Sequence, residues 1–116
     1  MKSVLSVDVA KGKSMIMLST EYGEVLIEPK EIKHNFRDFN ELKDKIESFN
    51  LEDLTIFMES TGIYHLPVER YFKENNFNTL VINSLTTKNN YDTLRKTKTD
   101  TKDCMRLAKL FFVNEV

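Results

Sequence analysis

The sequence predicts an α/β fold, a mixed five-stranded sheet with flanking helices, from three observations. β-Compatible runs with hairpin-length connections fill the first 28 residues. Apolar residues then recur at helical spacing from Phe36 to Phe49. Beyond that, two compact apolar runs alternate with helix-like segments, the pattern of crossover-linked parallel strands.

The elements follow in order. Val4, Leu5, Val7 and Val9 make a first strand, Lys11-Gly12-Lys13 turns the chain, and Met15-Ile16-Met17-Leu18 runs back. Glu21-Tyr22-Gly23-Glu24 turns again before Val25-Leu26-Ile27. The first and third strands are the clearer ones, because Ser14 to Thr20 is mixed in polarity. Asn35 is placed to cap a helix whose apolar positions Phe36, Phe39, Leu42, Ile46 and Phe49 form one stripe. Leu54 to Met58 is continuously apolar, as in a strand covered on both faces. After Thr61-Gly62 a second helix begins, with Pro67 in its first turn and Val68, Tyr71 and Phe72 inward. Asn75-Asn76 ends it, and Thr79-Leu80-Val81-Ile82 is a fifth strand. A polar loop spans Asn83 to Lys98, and Thr99 can cap a last helix through Phe112. The right-handed crossover rule makes the later strands parallel neighbours. Three meander strands, helix, strand, helix, strand, loop and helix make the ribonuclease H-like arrangement, in one domain over residues 1–116. The final helix stops at Val113-Asn114-Glu115-Val116 without a basic or glycine cap, which suggests a fragment of a longer protein.

Composition narrows the class. Apolar residues make up 41% and charged residues 30%, the balance of a soluble globular domain. The single cysteine, Cys104, excludes an intrachain disulfide and a cysteine-based zinc cage and suits a reducing cytoplasm. No apolar run approaches the roughly 20 residues needed to span a bilayer, and no signal peptide is visible. The net charge of −1 conceals an asymmetry. Residues 1–83 hold ten Lys/Arg against fourteen Asp/Glu, whereas residues 84–109 hold seven against three and are +4. That basic stretch is either an ordinary solvated face or a cradle for phosphates beside acidic residues.

Four acids carry the candidate chemistry. Asp8 and Glu59 each close an apolar strand, where a carboxylate is costly without a partner. In the expected topology their strands are adjacent. Asp100 and Asp103 begin a helical face continued by Leu107 and Leu110 or Phe111. A helix N-terminus favours negative charge, so acids there are also common without a function. Carboxylates from rigid elements at one sheet edge suit Mg²⁺, with Mn²⁺ as a substitute, in two-metal phosphoryl chemistry.

Ser6-Val7-Asp8-Val9-Ala10-Lys11, Met58-Glu59-Ser60-Thr61-Gly62-Ile63-Tyr64 and Lys98-Thr99-Asp100-Thr101-Lys102-Asp103 together resemble the three motifs of the DEDD transposases, which include the Piv-type invertases. The motifs stand in order and cover nearly all of the chain. The resemblance implies a RuvC-like catalytic domain whose Asp8, Glu59, Asp100 and Asp103 bind Mg²⁺. It implies an insertion-sequence recombinase working on DNA with a structured non-coding RNA, homo-oligomeric at full length, in a prokaryotic cytoplasm at the nucleoid. Two positions depart mildly: Ser6 stands for the usual Gly, and Cys104 for the common Ala after the last acid. A serine-bearing C-terminal domain, which forms the family's covalent link to DNA, has no counterpart in these residues.

Other residues keep two readings each. Lys11, Lys13, Arg95, Lys96, Lys98 and Lys102 are candidate nucleic-acid contacts, or solvated lysines and arginines of turns and a loop. Asn89, Asn90 and Tyr91 belong to the same loop. Gly62 allows close backbone approach, and Tyr64 either fills the core or stacks on a base. His34 and His65 read as structural, and Cys104 as packed inward. The alternatives to a transposase are a non-catalytic nucleic-acid-binding module and a RuvC-like junction resolvase or nuclease. A sugar-kinase or actin-like core is disfavoured, since three dispersed glycines supply no phosphate loop.

Overall fold

The computed structural model describes residues 1–60, 62–83 and 100–114, with side chains at 83, 100–103 and 114 excepted. Its strands are β1 (Lys2–Ala10), β2 (Lys13–Thr20), β3 (Val25–Lys33), β4 (Asp53–Ser60) and β5 (Asn78–Asn83). Helices α1 (Phe36–Glu47), α2 (Leu66–Glu74) and α3 (Asp100–Asn114) complete it. The sheet order is β3-β2-β1-β4-β5, with β1–β2–β3 an antiparallel meander and β4 and β5 parallel to β1 and to each other.

Side-chain alternation along the strands divides the core in two. Leu5, Val7, Ile16, Leu18, Ile56 and Met58 face α1 and α2 and bury Phe39, Leu42, Ile46, Val68 and Phe72. Val4, Met17 and Phe57 face the other way, onto Cys104, Leu107, Ala108, Leu110 and Phe111 of α3. Helices thus cover both sheet faces. That is why Thr55 to Met58 is apolar or buried without interruption.

Local chemistry explains the boundaries. Only Lys11 and Gly12 join β1 to β2, and Gly12 adopts φ +74°, a left-handed conformation that favours glycine. The Asn35 side chain accepts from the Asp38 backbone N–H at 2.8 Å and caps α1. Asp38 Oδ2 in turn accepts from the Lys33 backbone N–H at 2.8 Å, tying β3 to the helix start. Pro67 lies at the start of α2, and α2 ends at Asn75 with Asn76 at φ +68°.

Three expectations are adjusted. β2, mixed in polarity, is a well-buried interior strand, because β1 and β3 flank it and two of its hydroxyls find partners. Ser14 Oγ bonds His34 Nε2 at 2.7 Å, and Thr20 Oγ1 accepts from the Tyr22 and Glu24 backbone N–H groups at 3.3 Å each. β3 is instead the half-exposed edge, running on through Pro29, which an edge strand tolerates. Phe36, on the expected inward stripe of α1, is 76% exposed, since the first helical position precedes the packed turns. The expected loop to Lys98 and the Thr99 cap lie outside the described residues.

Candidate functional site

β1 and β4 bring Asp8 and Glu59 together. Their parallel ladder runs in register to Val7 opposite Met58. One residue further, Asp8 and Glu59 hold corresponding positions on neighbouring strands, about 4.8 Å apart at the backbone. Both alternate with residues of the α3-facing cluster, Asp8 with Val4 and Glu59 with Phe57. Both acids therefore project from the same sheet face, each half-buried. Asp8 lies inside β1, which runs two residues beyond it to Ala10, and Glu59 is the penultimate residue of β4.

Helix α3 packs over this row. The Cys104 thiol, fully buried, donates to the Met15 carbonyl at 3.0 Å, and Met15 is the β2 partner of Asp8. Arg106 Nη2 donates to Glu59 Oε1 in an ion pair whose side chains are only 10% and 13% exposed. Cys104 and Arg106 thus lie over the Asp8 row and over Glu59. The helix backbone places Asp103 immediately before Cys104 and Asp100 one turn earlier, both in the series that continues through the buried Leu107. The side chains of Asp100, Lys102 and Asp103, like Arg95, Lys96 and Lys98, lie outside the described residues. Asn89, Asn90, Tyr91 and Thr61 do so as well.

The donor set is all carboxylate oxygen, the chemistry that suits a hard divalent ion. Among the described residues, no group of three or more His, Cys, Asp or Glu is placed to hold a metal. Asp8 and Glu59 thus place two carboxylates on a shared sheet face, below the helix whose first turn carries Asp100 and Asp103. The residue that sequence reasoning missed is Arg106. Its signal was modest: a lone arginine between Cys104 and Leu107, two positions that pack inward.

Nearby residues are placed as follows. Lys11 and Lys13 are exposed at the β1–β2 turn, and Lys13 Nζ lies 3.6 Å from Glu31. Gly62 takes φ +55°, a left-handed conformation that favours glycine, with open space where a Cβ would stand. Tyr64 is 39% exposed in the turn before α2 and does not fill the core. His34 is structural, with its pKa lowered from 6.5 by burial. His65 Nε2 lies 3.8 Å from Glu69 at the start of α2.

A five-stranded sheet in this order, with an acidic row beneath the start of the last helix, defines a ribonuclease H-like domain. A family model described as "Transposase", that of the IS110-type DEDD transposases, matches residues 5–115, and the chain belongs to this family. No curated protein matches it in sequence. The fold is similar to that of the fowlpox virus Holliday junction resolvase, with a TM-score of 0.56 at 12% identity over 98% of this chain and 99% of the resolvase chain. No helix among the described residues is long and apolar enough to cross a membrane.

Proposed function

We propose that residues 1–116 form the metal-dependent catalytic domain of an insertion-sequence DNA transposase, with Asp8, Glu59, Asp100 and Asp103 as ligands for Mg²⁺ or Mn²⁺. The observation that carries this reading is the in-register placement of Asp8 and Glu59 on one sheet face, directly under α3. When bound, the divalent ions would activate the attacking oxygen and stabilise the leaving oxygen of an in-line displacement. The residues of the chain do the positioning. Two neighbouring strands fix Asp8 and Glu59 relative to one another, and α3 is held over them by its buried apolar turns. Lys11 and Lys13, exposed at the adjoining turn, and Arg95, Lys96, Lys98 and Lys102 are assigned to the phosphate backbone.

Family membership further supports DNA as substrate and a structured RNA as partner, in a prokaryotic cytoplasm. The family's covalent step belongs to a serine in a C-terminal domain. The chemistry proposed for residues 1–116 is therefore the metal half of recombination. Calorimetric titration with Mn²⁺ tests the site: Asp8→Ala and Glu59→Ala should each abolish or strongly weaken binding. If neither substitution alters the titration, the shared metal site is wrong. Cleavage assays on branched, duplex and single-stranded DNA separate a transposase domain from a stand-alone resolvase or a binding module, the module cleaving none of them.

A further inference from the structure

We propose that Arg106 is an internal counter-ion for Glu59 and that a divalent cation displaces it, linking metal entry to the hold of α3 on the sheet. The inference rests on reading Asp8 and Glu59 as metal ligands. Its own observation is the ion pair between Arg106 Nη2 and Glu59 Oε1, which joins α3 to β4 where both side chains are nearly buried.

A carboxylate this far from water needs a positive partner, and Asp8 in the adjacent row adds a second negative charge to the same face. Arg106 supplies that charge from α3. A divalent ion interacts with a carboxylate about twice as strongly as a guanidinium at equal distance, and it can engage Asp8 and Glu59 together. The guanidinium and the ion also repel each other across a few ångströms of partly desolvated space. The two cations therefore compete for Glu59, and the charge on Arg106 holds metal affinity down. Arg106 as a mere packing residue would leave metal affinity unchanged, and Arg106 as an aligner of Glu59 would raise it.

The test compares the wild type with R106Q, R106K, E59Q and D8N. Free Mn²⁺ is followed by electron paramagnetic resonance, and thermal unfolding is recorded in EDTA and in saturating Mn²⁺. R106Q should bind Mn²⁺ about tenfold more tightly, whereas R106K, which keeps the charge, should stay near the wild type. In EDTA the R106Q midpoint should drop by on the order of 10 °C, and Mn²⁺ should raise it by more than it raises the wild type. A second measurement needs no variant protein as host: in ¹⁵N-arginine spectra of the wild type, the Arg106 signal, assigned through R106K, should move as Mg²⁺ saturates the site.

Unchanged or weaker Mn²⁺ binding by folded R106Q overturns the proposal, as does an Arg106 signal indifferent to Mg²⁺. If D8N and E59Q abolish binding in those same experiments, only the counter-ion role is lost. If D8N and E59Q leave Mn²⁺ binding intact, or if no protein binds Mn²⁺, the metal reading itself is lost and the counter-ion role with it.

Discussion

Arg106 and Glu59 form the ion pair that ties α3 to β4. The pair is nearly buried, so deleting one member is far more damaging than replacing both. Glu59→Ala alone should destabilise the metal-free protein by about 3 kcal/mol, while an apolar pair at both positions should lose clearly less. Urea unfolding of the two single variants and the double variant in EDTA measures this. The two departures from the family motifs are satisfied on the same sheet face. Ser6 Oγ donates to the Met17 carbonyl at 3.3 Å, and Cys104 Sγ to the Met15 carbonyl at 3.0 Å. Each added polar atom therefore meets a β2 carbonyl. On the opposite face His34 bonds Ser14, stacks near Phe39 at 5.9 Å, and has its pKa lowered by burial. The unfolded chain then takes up a proton that the folded chain refuses. The stability His34 contributes is present above pH 6.5 and declines as the pH falls through that value toward the folded pKa. His34→Gln, which can still bond Ser14, should lose less stability than the wild type between about pH 7 and about pH 5.5 in urea titrations.

At the scale of elements, α1 and α3 depend on different sources of order. The start of α1 is held by local hydrogen bonds, Asn35 to the Asp38 N–H and Asp38 to the Lys33 N–H. Asn35→Ala should cost about 1 kcal/mol and leave metal binding unaltered. α3 is held by its apolar turns, and Leu107 is 1% exposed against Val4, Met17 and Phe57. Leu107→Ala should cost about 2 to 5 kcal/mol and also weaken Mn²⁺ binding, because it loosens the helix that carries Asp100 and Asp103. Unfolding and Mn²⁺ titration of both variants, side by side, check the contrast. This difference also explains what could be read from sequence. The cap, the apolar stripe, Pro67 and the uninterrupted run of β4 are local signals, and each element stands where they put it. The coverage of β2 was hidden because Ser14 meets its partner, His34, 20 residues further along the chain. Arg106 was hidden for the same reason, since its carboxylate lies 47 residues away. The adjacency of Asp8 and Glu59 was legible only through topology: a meander followed by a crossover makes β1 and β4 neighbours.

For the whole molecule, the arrangement of charge matters more than its sum. A net charge of −1 gives no reason to expect binding to a polyanion, yet the stretch 84–109, which runs into the first turns of α3, is +4. The exposed Lys11 and Lys13 sit at the β1–β2 turn, just beyond Asp8. Each phosphate neutralised by a lysine or arginine releases condensed counter-ions, so affinity falls with salt by a slope that counts the contacts. Neutralising Arg95, Lys96 and Lys98 together should therefore weaken binding to structured RNA and reduce the slope of log affinity against log salt by roughly 2 to 3. The same substitutions should leave Mn²⁺ affinity close to that of the wild type, because they change no carboxylate. Converting Asp8 to Asn should do the reverse, lowering Mn²⁺ affinity while leaving the RNA salt slope measured in EDTA in place. Titrations of a labelled RNA at several salt concentrations, with both variants, decide the matter. An unchanged slope in the triple variant would remove residues 95–98 from the nucleic-acid interface.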